Sequence, residues 1–371
     1  MDPSPPGKPG ANKAPPPPDG ERGSVYKECL MEKKLIALAL AALPCVAMAD
    51  VTVYGSLQSG FENVRDDGTP SVNRVADLGS RIGFKGSEDL GNGLKAIWQV
   101  ESGFRLDGQA DTGSGTFGSR NTFVGVEGGF GKLRIGNVTT TFDTDMEIFD
   151  LFSSEANALK SNMTKGVHSG FDTRLKNSIR YDAPLDGGLA LSLHHGVDEN
   201  KNLAGHGDRY VDIVGLGYSG GALAVKYGAA RSNDQNATQS AGLYQRAEAA
   251  YQFGDLLVAG GFANDKAYSV TGAKLRQNEG ALTVAYSIGA FTPKFTYTKG
   301  WDVRQDSNRL ADSGYKHYLV GVGYAVSKRT SLGLSYGKLD YDANAVWLDG
   351  SGNAAPLKGQ RASGVQVVHN F

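Results

Sequence analysis

The chain has 371 residues, with 38 Lys and Arg against 39 Asp and Glu, a formal net charge of −1 that leaves no bulk attraction for nucleic acid. Gly is abundant at 51 residues, mean hydropathy is −0.32 and 21% of residues are charged, with no run of 18 apolar residues, so a spanning helix is excluded. A transmembrane barrel is not excluded, because its two faces alternate between lipid and water and average to a soluble-looking composition.

Residues 1–30 are polar and Pro-rich, with Pro15 to Pro18 in a row. Such a segment cannot bury a core and is expected to be disordered; it reads as an extension upstream of the natural start at Met31. Residues 31–49, MEKKLIALALAALPCVAMA, carry a basic start at Lys33 and Lys34, a short apolar stretch from Leu35 to Leu43, and the small-x-small pattern Ala47-Met48-Ala49. This is the form of a secretory signal peptide cleaved before Asp50. Both cysteines, Cys29 and Cys45, precede that point, so the mature segment is free of thiols, as suits export to an oxidising compartment.

From Asp50 onward one unit repeats: alternating segment, tight turn, alternating segment, longer polar loop. Ile82 and Phe84 share one face with Arg81 and Lys85 on the other. In the next segment Leu94, Ala96, Trp98 and Val100 share a face opposite Lys95, Gln99 and Glu101. Period-two alternation of this kind puts one face in an apolar medium and the other in water. Short turns are expected at 87–93, 128–131, 184–188, 219–221, 253–255, 287–289 and 326–328. Longer loops are expected near 63–75, 104–118, 138–172, 197–207, 231–241, 264–276, 300–314 and 338–360. Eight loops and seven turns make the fifteen connections of sixteen strands. Short and long connections in strict alternation describe an all-β, 16-stranded antiparallel transmembrane β-barrel, residues 50–371, with turns on one side of a membrane and loops on the other. Closure answers a physical demand, since unpaired backbone groups in hydrocarbon cost several kcal/mol each.

No chemistry-bearing motif interrupts this pattern. Gly113 to Gly118 fits GxGxxG but lies in no βαβ unit and reads as a loop. The six histidines have no metal-ligand spacing, and His194 and His195 fall on opposite faces of one strand. No nucleophile elbow, zinc motif or phosphate loop occurs, so no enzyme activity, metal or cofactor is expected.

Several stretches are more specific than a pattern: DVTVYGSLQS from Asp50, LGSRIGFKGSEDLGNGLKAIWQVE from Leu78, SRNTFVGVEGGFGKLRIG from Ser119, RYDAP from Arg180, and the terminal Phe371. Together they resemble the general trimeric porins of Gram-negative bacteria, the neisserial type in particular, over essentially the whole mature segment. The resemblance implies a homotrimer in outer-membrane lipid, with loop 138–172, the third, folded inward to narrow a passive, weakly selective channel. It implies that a terminal Phe371 serves as the signal read by the barrel-assembly machinery. It also places basic side chains Arg81, Lys95, Arg120 and Arg134 on the pore wall, opposite Asp143, Asp145, Glu147, Asp150 and Glu155 of the loop. Alternation independently turns Arg81, Lys95 and Arg134 inward; for Arg120 the same argument requires Phe123 and Gly125 to face out. Such a wall facing an acidic loop would set up a transverse field that orients solutes and filters ions, although loop carboxylates can equally pair with arginines to hold the loop. Asn137 stands where many members of the family have a pore arginine, and the Pro-Glu-Phe-Gly-Gly tip of many third loops is absent.

Overall fold

The computed structural model describes residues 50–108, 117–146, 148–152, 171, 173–197, 210–233, 241–269, 272–348 and 354–371. The upstream extension, the signal segment, the GxGxxG match, Glu147 and Glu155 lie outside the described residues.

Sixteen strands alternate with their connections. They are β1 (Asp50–Asp66), β2 in two segments (Val72–Asp77 and Arg81–Gly91), β3 (Leu94–Gly103), β4 (Thr122–Gly128), β5 (Gly131–Thr139) and β6 (Arg174–Pro184). There follow β7 (Leu189–Val197), β8 (Tyr210–Gly220), β9 (Leu223–Ser232), β10 (Gly242–Phe253) and β11 (Leu256–Tyr268). The last five are β12 (Lys274–Tyr286), β13 (Phe291–Gly300), β14 (Tyr315–Ala325), β15 (Thr330–Tyr341) and β16 (Gln360–Asn370). Every strand pairs antiparallel with its neighbours in sequence, and β16 returns to β1 in the register Ser56↔Asn370 through Asp66↔Gln360. The sheet therefore has no edge, which hydrocarbon requires. Phe371 extends the seam beyond β16: its N–H donates to the Gly55 carbonyl at 3.1 Å and its carbonyl accepts from the Gly55 N–H at 3.1 Å.

Alternation is visible along every strand. In β1, Val51, Val53, Leu57 and Phe61 point outward and are exposed, while Ser56, Gln58 and Glu62 point inward and are buried. In β16, Val365, Val367 and Phe371 point outward. The turn between β2 and β3 shows why its residues are Gly, Asn and Gly. Gly91, Asn92 and Gly93 have φ of 85°, 53° and 76°, left-handed conformations that only glycine and asparagine adopt cheaply. The Asp89 carboxylate accepts the Gly91 N–H at 2.8 Å and steadies the turn.

Two of the expected long loops prove short. Ladder pairing continues to Val64↔Val72 and to Tyr268↔Lys274, leaving connections of a few residues. Outward polar residues extend the hairpins there; Asn63 donates to Asn73 and Asn264 to Asn278, both at 2.6 Å. Polarity marked these stretches as loops, but above the apolar band polar strand residues cost nothing. The loops after β13 and β15 carry small hairpins of their own, Arg304–Gln305 with Asn308–Arg309 and Val346–Leu348 with Ala354–Pro356.

The described part of the third loop does not project from the rim. It begins with a single helical turn, α1 (Thr141–Thr144), set inside the barrel. Phe142, Met146, Phe149 and Phe171 form an apolar cluster with Ile213, Ala230, Tyr244, Ala250, Ala259 and Ala263 of the inner wall. Phe152 enters a second cluster with Val64, Leu78, Leu319 and Ala362 on the far side. Inner-wall glycines make room for it. A Cβ on Gly228 would stand 2.5 Å from Phe142 Cε1, and one on Gly215 2.5 Å from Thr141 Oγ1. Among the described residues these contacts, with a smaller cluster of Ala267, Leu275 and Val303, form the apolar core.

Candidate functional site: the charged lumen

The first group of charges sits on β2, β3 and the approach to β4. Arg81 pairs with Ser56 of β1, an inward position, and its Nε lies 3.9 Å from Glu101 Oε2. Arg120 Nε donates to Glu101 Oε1 at 2.7 Å. Tyr54 Oη donates to the same carboxylate at 3.0 Å. Glu101 is buried, so its charge is held by three donors or cations instead of by water.

Arg120 reaches this cluster by a different route from the alternation argument. Phe123 and Gly125 face inward, opposite Gln99 and the buried Ile97. They cannot set the direction of Arg120, because β4 starts at Thr122 and Arg120 precedes it. The Arg120 backbone N–H instead donates to the Glu101 carbonyl at 2.9 Å. Asn137 completes the anchorage: its amide donates to the carbonyls of Ser119 and Arg120 at 3.1 and 2.9 Å. A neutral residue at 137 thus serves to position a neighbouring arginine.

The second group lies on β5 and β6. Arg134 is inward and mostly buried, bonded to the Asp182 carboxylate, with its guanidinium 5.4 Å from the centre of the Phe123 ring. Arg180, 2% exposed, bonds Asp182 through Nε at 2.9 Å, the Thr139 carbonyl through Nη1 at 2.7 Å, and the Asp145 carboxylate through Nη2. Arg174 Nη2 lies 3.4 Å from Asp143 Oδ2 and is close enough to Arg81, Arg120 and Glu101 to interact with them electrostatically.

The third group fastens the loop from Phe142 to Leu151. Arg246 and Glu248 of β10 form a fully buried pair at 2.8 Å. Arg246 Nη2 donates to the Phe142 carbonyl at 3.0 Å, and Glu248 Oε2 accepts the Ile148 N–H at 3.0 Å. Thr283 Oγ1 on β12 donates to the Phe149 carbonyl at 2.6 Å, and Lys294 on β13 donates to the Leu151 carbonyl.

Of the nominated residues, the structure brings Arg81 and Arg120 together around Glu101. It fastens Arg134 to Asp182. Asp143 and Asp145 meet arginines from β6, and Asp150 turns back on its own loop, its Oδ1 accepting the Phe152 N–H at 2.9 Å. Lys95 is not part of the cluster. It is exposed and sits just past the β2–β3 turn, eight residues along β3 from Gly103, the partner of Arg81. At about 3.3 Å per residue that is roughly 26 Å along the strand.

Glu101, Arg174, Arg180, Arg246 and Glu248 were not among the nominated residues. The signal was present in the alternation: Arg180 and Asp182 share a face in RYDAP, and Arg246 and Glu248 are interleaved with outward Ala247 and Ala249. Charges at alternate positions opposite small apolar residues must face water or each other. Among the described residues, no group of His, Cys, Asp and Glu could hold a metal ion.

Below α1 the lumen opens into a recess of about 580 Å³ lined by Lys132, Thr141, Asp145, Asp182, Ser192 and Lys226, among others. A polar lumen, narrowed by a loop sewn to its wall and carrying charge of both signs, is suited to filtering small solutes by size and charge.

The sequence profile of Gram-negative porins matches residues 37–344. The major outer membrane protein P.IB of Neisseria meningitidis serogroup B is 35% identical over 363 residues, covering 92% of this chain and 100% of that protein. The protein of the same name from Neisseria gonorrhoeae is 33% identical over 386 residues, with the same coverage. Among solved structures, an anion-selective porin from Comamonas acidovorans matches with a TM-score of 0.69 and 22% identity, over 87% of this chain and 100% of that one. OmpT of Vibrio cholerae, in its trimer form, matches with a TM-score of 0.67 and 17% identity, over 87% and 99%.

Proposed function

We propose that this chain, which belongs to the Gram-negative porin family, sets the ion preference of its channel with the charges gathered around Glu101. It is an outer-membrane channel, not an enzyme: a passive, weakly selective diffusion path for ions and small hydrophilic solutes, narrowed by the third loop.

The observation that carries the selectivity reading is the composition of the narrow region. Among the described residues, Arg81, Arg120 and Arg174 stand against Glu101 and Asp143, a local excess of one positive charge. The arginines sit on or beside strands, while Asp145 is drawn onto Arg180. The channel therefore prefers anions slightly. Arg134 contributes less than Arg81 and Arg120, because Asp182 neutralises it, and Lys95 acts only as a charge at the turn-side mouth.

The functional unit is a homotrimer, in which outward Val365 and Val367 of β16 meet a neighbouring subunit rather than lipid. The turns face the periplasm and the loops the outside, since the chain enters β1 and leaves β16 at the turn side. Phe371, which extends the seam beside Gly55, is the signal for the assembly machinery.

The experiment is a reversal-potential measurement in a planar bilayer under a salt gradient. Wild type should show a small potential of anionic sign, and Arg81→Glu with Arg120→Glu one of cationic sign. An unchanged potential in the double variant would remove these residues from the selectivity region.

A further inference from the structure

The outward face of the barrel is asymmetric between its two ends. At the turn end of β10 to β15 the outward strand positions are aromatic or aliphatic: Tyr251, Phe253, Tyr286, Phe291, Tyr324 and Leu332. At the loop end of the same wall, cations stand directly opposite one another. Lys266 of β11 pairs with Arg276 of β12, and Arg276 with Arg304 of the small hairpin that follows β13. One step along, Lys299 of β13 pairs with Lys316 of β14.

These five cations share the outward face with exposed Phe262, Leu282 and Val320, so they point away from the lumen. They lie just beyond an aromatic girdle in which Tyr297 contacts Tyr318 at 5.0 Å and Phe262 contacts Trp301 at 6.0 Å between ring centres. That is the depth of the lipid headgroups.

Among the described residues, none of the five has a carboxylate within ion-pair distance. Asp340, the register partner of Lys316, is engaged by Lys338 at 2.5 Å. Asp302 is engaged by Arg309. Like charges directly opposite on adjacent strands repel and destabilise the ladder. Two such rows side by side, facing a headgroup layer, are stable when anions bridge them.

We propose that the loop-end outer wall of β11 to β14 is a binding surface for phosphorylated lipid headgroups, with Lys266, Arg276 and Arg304 holding one phosphate and Lys299 and Lys316 a second. The forked guanidinium groups of Arg276 and Arg304 suit bidentate contact with phosphate oxygens. Lys266 and Lys299 already lie over the rings of Tyr268 and Trp301, at 5.4 and 5.5 Å, with their amino groups near the interface. This rests on the barrel spanning a membrane, and channel conductance measured in parallel reports on that separately.

The test is native mass spectrometry of the intact assembly in mild detergent, titrated with bisphosphorylated lipid A, with its dephosphorylated form, and with inorganic phosphate. Wild type should retain the bisphosphorylated lipid and release the dephosphorylated one. Each surface cation contributes about 1 kcal/mol toward an anionic headgroup, or about fivefold. Arg276→Gln should therefore bind about fivefold more weakly, and Lys266→Gln with Arg276→Gln and Arg304→Gln about a hundredfold. Lys328→Gln with Arg329→Gln, at a turn, should bind as wild type. Removing mutually repelling cations should leave the barrel folded, and the single variant carries the test should the triple yield poorly. Equal retention of the dephosphorylated lipid, wild-type binding by both Arg276→Gln and the triple variant, or displacement of the lipid by equimolar inorganic phosphate would each overturn the proposal.

Discussion

Arg120 Nε and Glu101 Oε1 are 2.7 Å apart, and this bond ties the segment leading into β4 to the middle of the channel wall. The carboxylate does more than align its partner: it cancels one of the positive charges that a permeating ion meets. Glu101→Gln keeps the shape and removes the charge. A unit charge about 8 Å from an ion in water changes its energy by roughly 0.5 kcal/mol, about twofold in permeability ratio. The variant should shift the salt-gradient reversal potential further toward the anion limit by about that factor; a shift toward cations would contradict the arrangement.

Arg180 should govern how firmly the loop is held. It is nearly inaccessible and binds Asp145, Asp182 and the Thr139 carbonyl together. Arg180→Met leaves Asp145 and the Thr139 carbonyl without their cation and Asp182 with Arg134 alone, a loss of about 3 kcal/mol at a buried site. The variant should unfold at lower temperature in heat-shift gels and show noisier single-channel current. Arg180→Lys keeps the charge without the fork and should fall between.

Gly228 and Gly217 offer a matched pair on the inner wall. A Cβ on Gly228 meets Phe142 Cε1 at 2.5 Å and Met146 Sδ at 2.9 Å, whereas one on Gly217 meets nothing nearer than Ala190 Cβ at 4.0 Å. Gly228→Ala should displace the start of the loop, cost about 1–3 kcal/mol by overpacking and alter conductance. Gly217→Ala should leave conductance as in wild type. Equal conductances in the two variants would mean that the loop does not lean on Gly228.

Acid should loosen the loop that follows β13. Burial raises the affinity of Asp302 for a proton, but hydrogen bonds from Arg309 Nε at 2.6 Å and the Ser313 N–H at 3.0 Å outweigh it, and its carboxyl is held below the ordinary value. A depressed folded value means that the stabilisation is complete above about pH 4, the unfolded carboxylate value, and is lost as pH falls through the lower folded one. Hydrogen exchange at Ser313 and Gly314 should quicken in that acid window in wild type. In Asp302→Asn it should be fast and nearly independent of this step.

The barrel was legible because period-two alternation is local: Leu94, Ala96, Trp98 and Val100 declare an outward face without reference to any other strand. The charged lumen was legible only in part. Arg81 and Arg134 follow from their neighbours, but Arg120 owes its position to Glu101 and Asn137, nineteen or fewer residues away in sequence and across two connections in space. Alternation gives side, not depth, so it could not separate Lys95 at the mouth from Arg81 in the narrow region. What the anchors on β10, β12 and β13 hold was hidden for another reason, even where alternation turns the side chains themselves inward. Their partners are backbone carbonyls and N–H groups of the loop, which leave no trace in residue type.

Those anchors also bear on the order of events during biogenesis. Phe142 is fastened by a residue 104 positions later, Phe149 by one 134 later and Leu151 by one 143 later. The loop emerges after five strands and first meets Arg174 and Arg180 of β6, yet the stretch from Phe142 to Leu151 gains its carbonyl anchors only when β10 to β13 have joined the growing sheet, and Phe152 cannot complete its cluster until β14 and β16 meet β1. Such distant contacts are costly to close and form late. The nascent pore therefore starts wide and is throttled only as the cylinder closes. A chain stalled before the seam zips up would be a leak rather than a filter, which gives the cell reason to make closure and narrowing a single event.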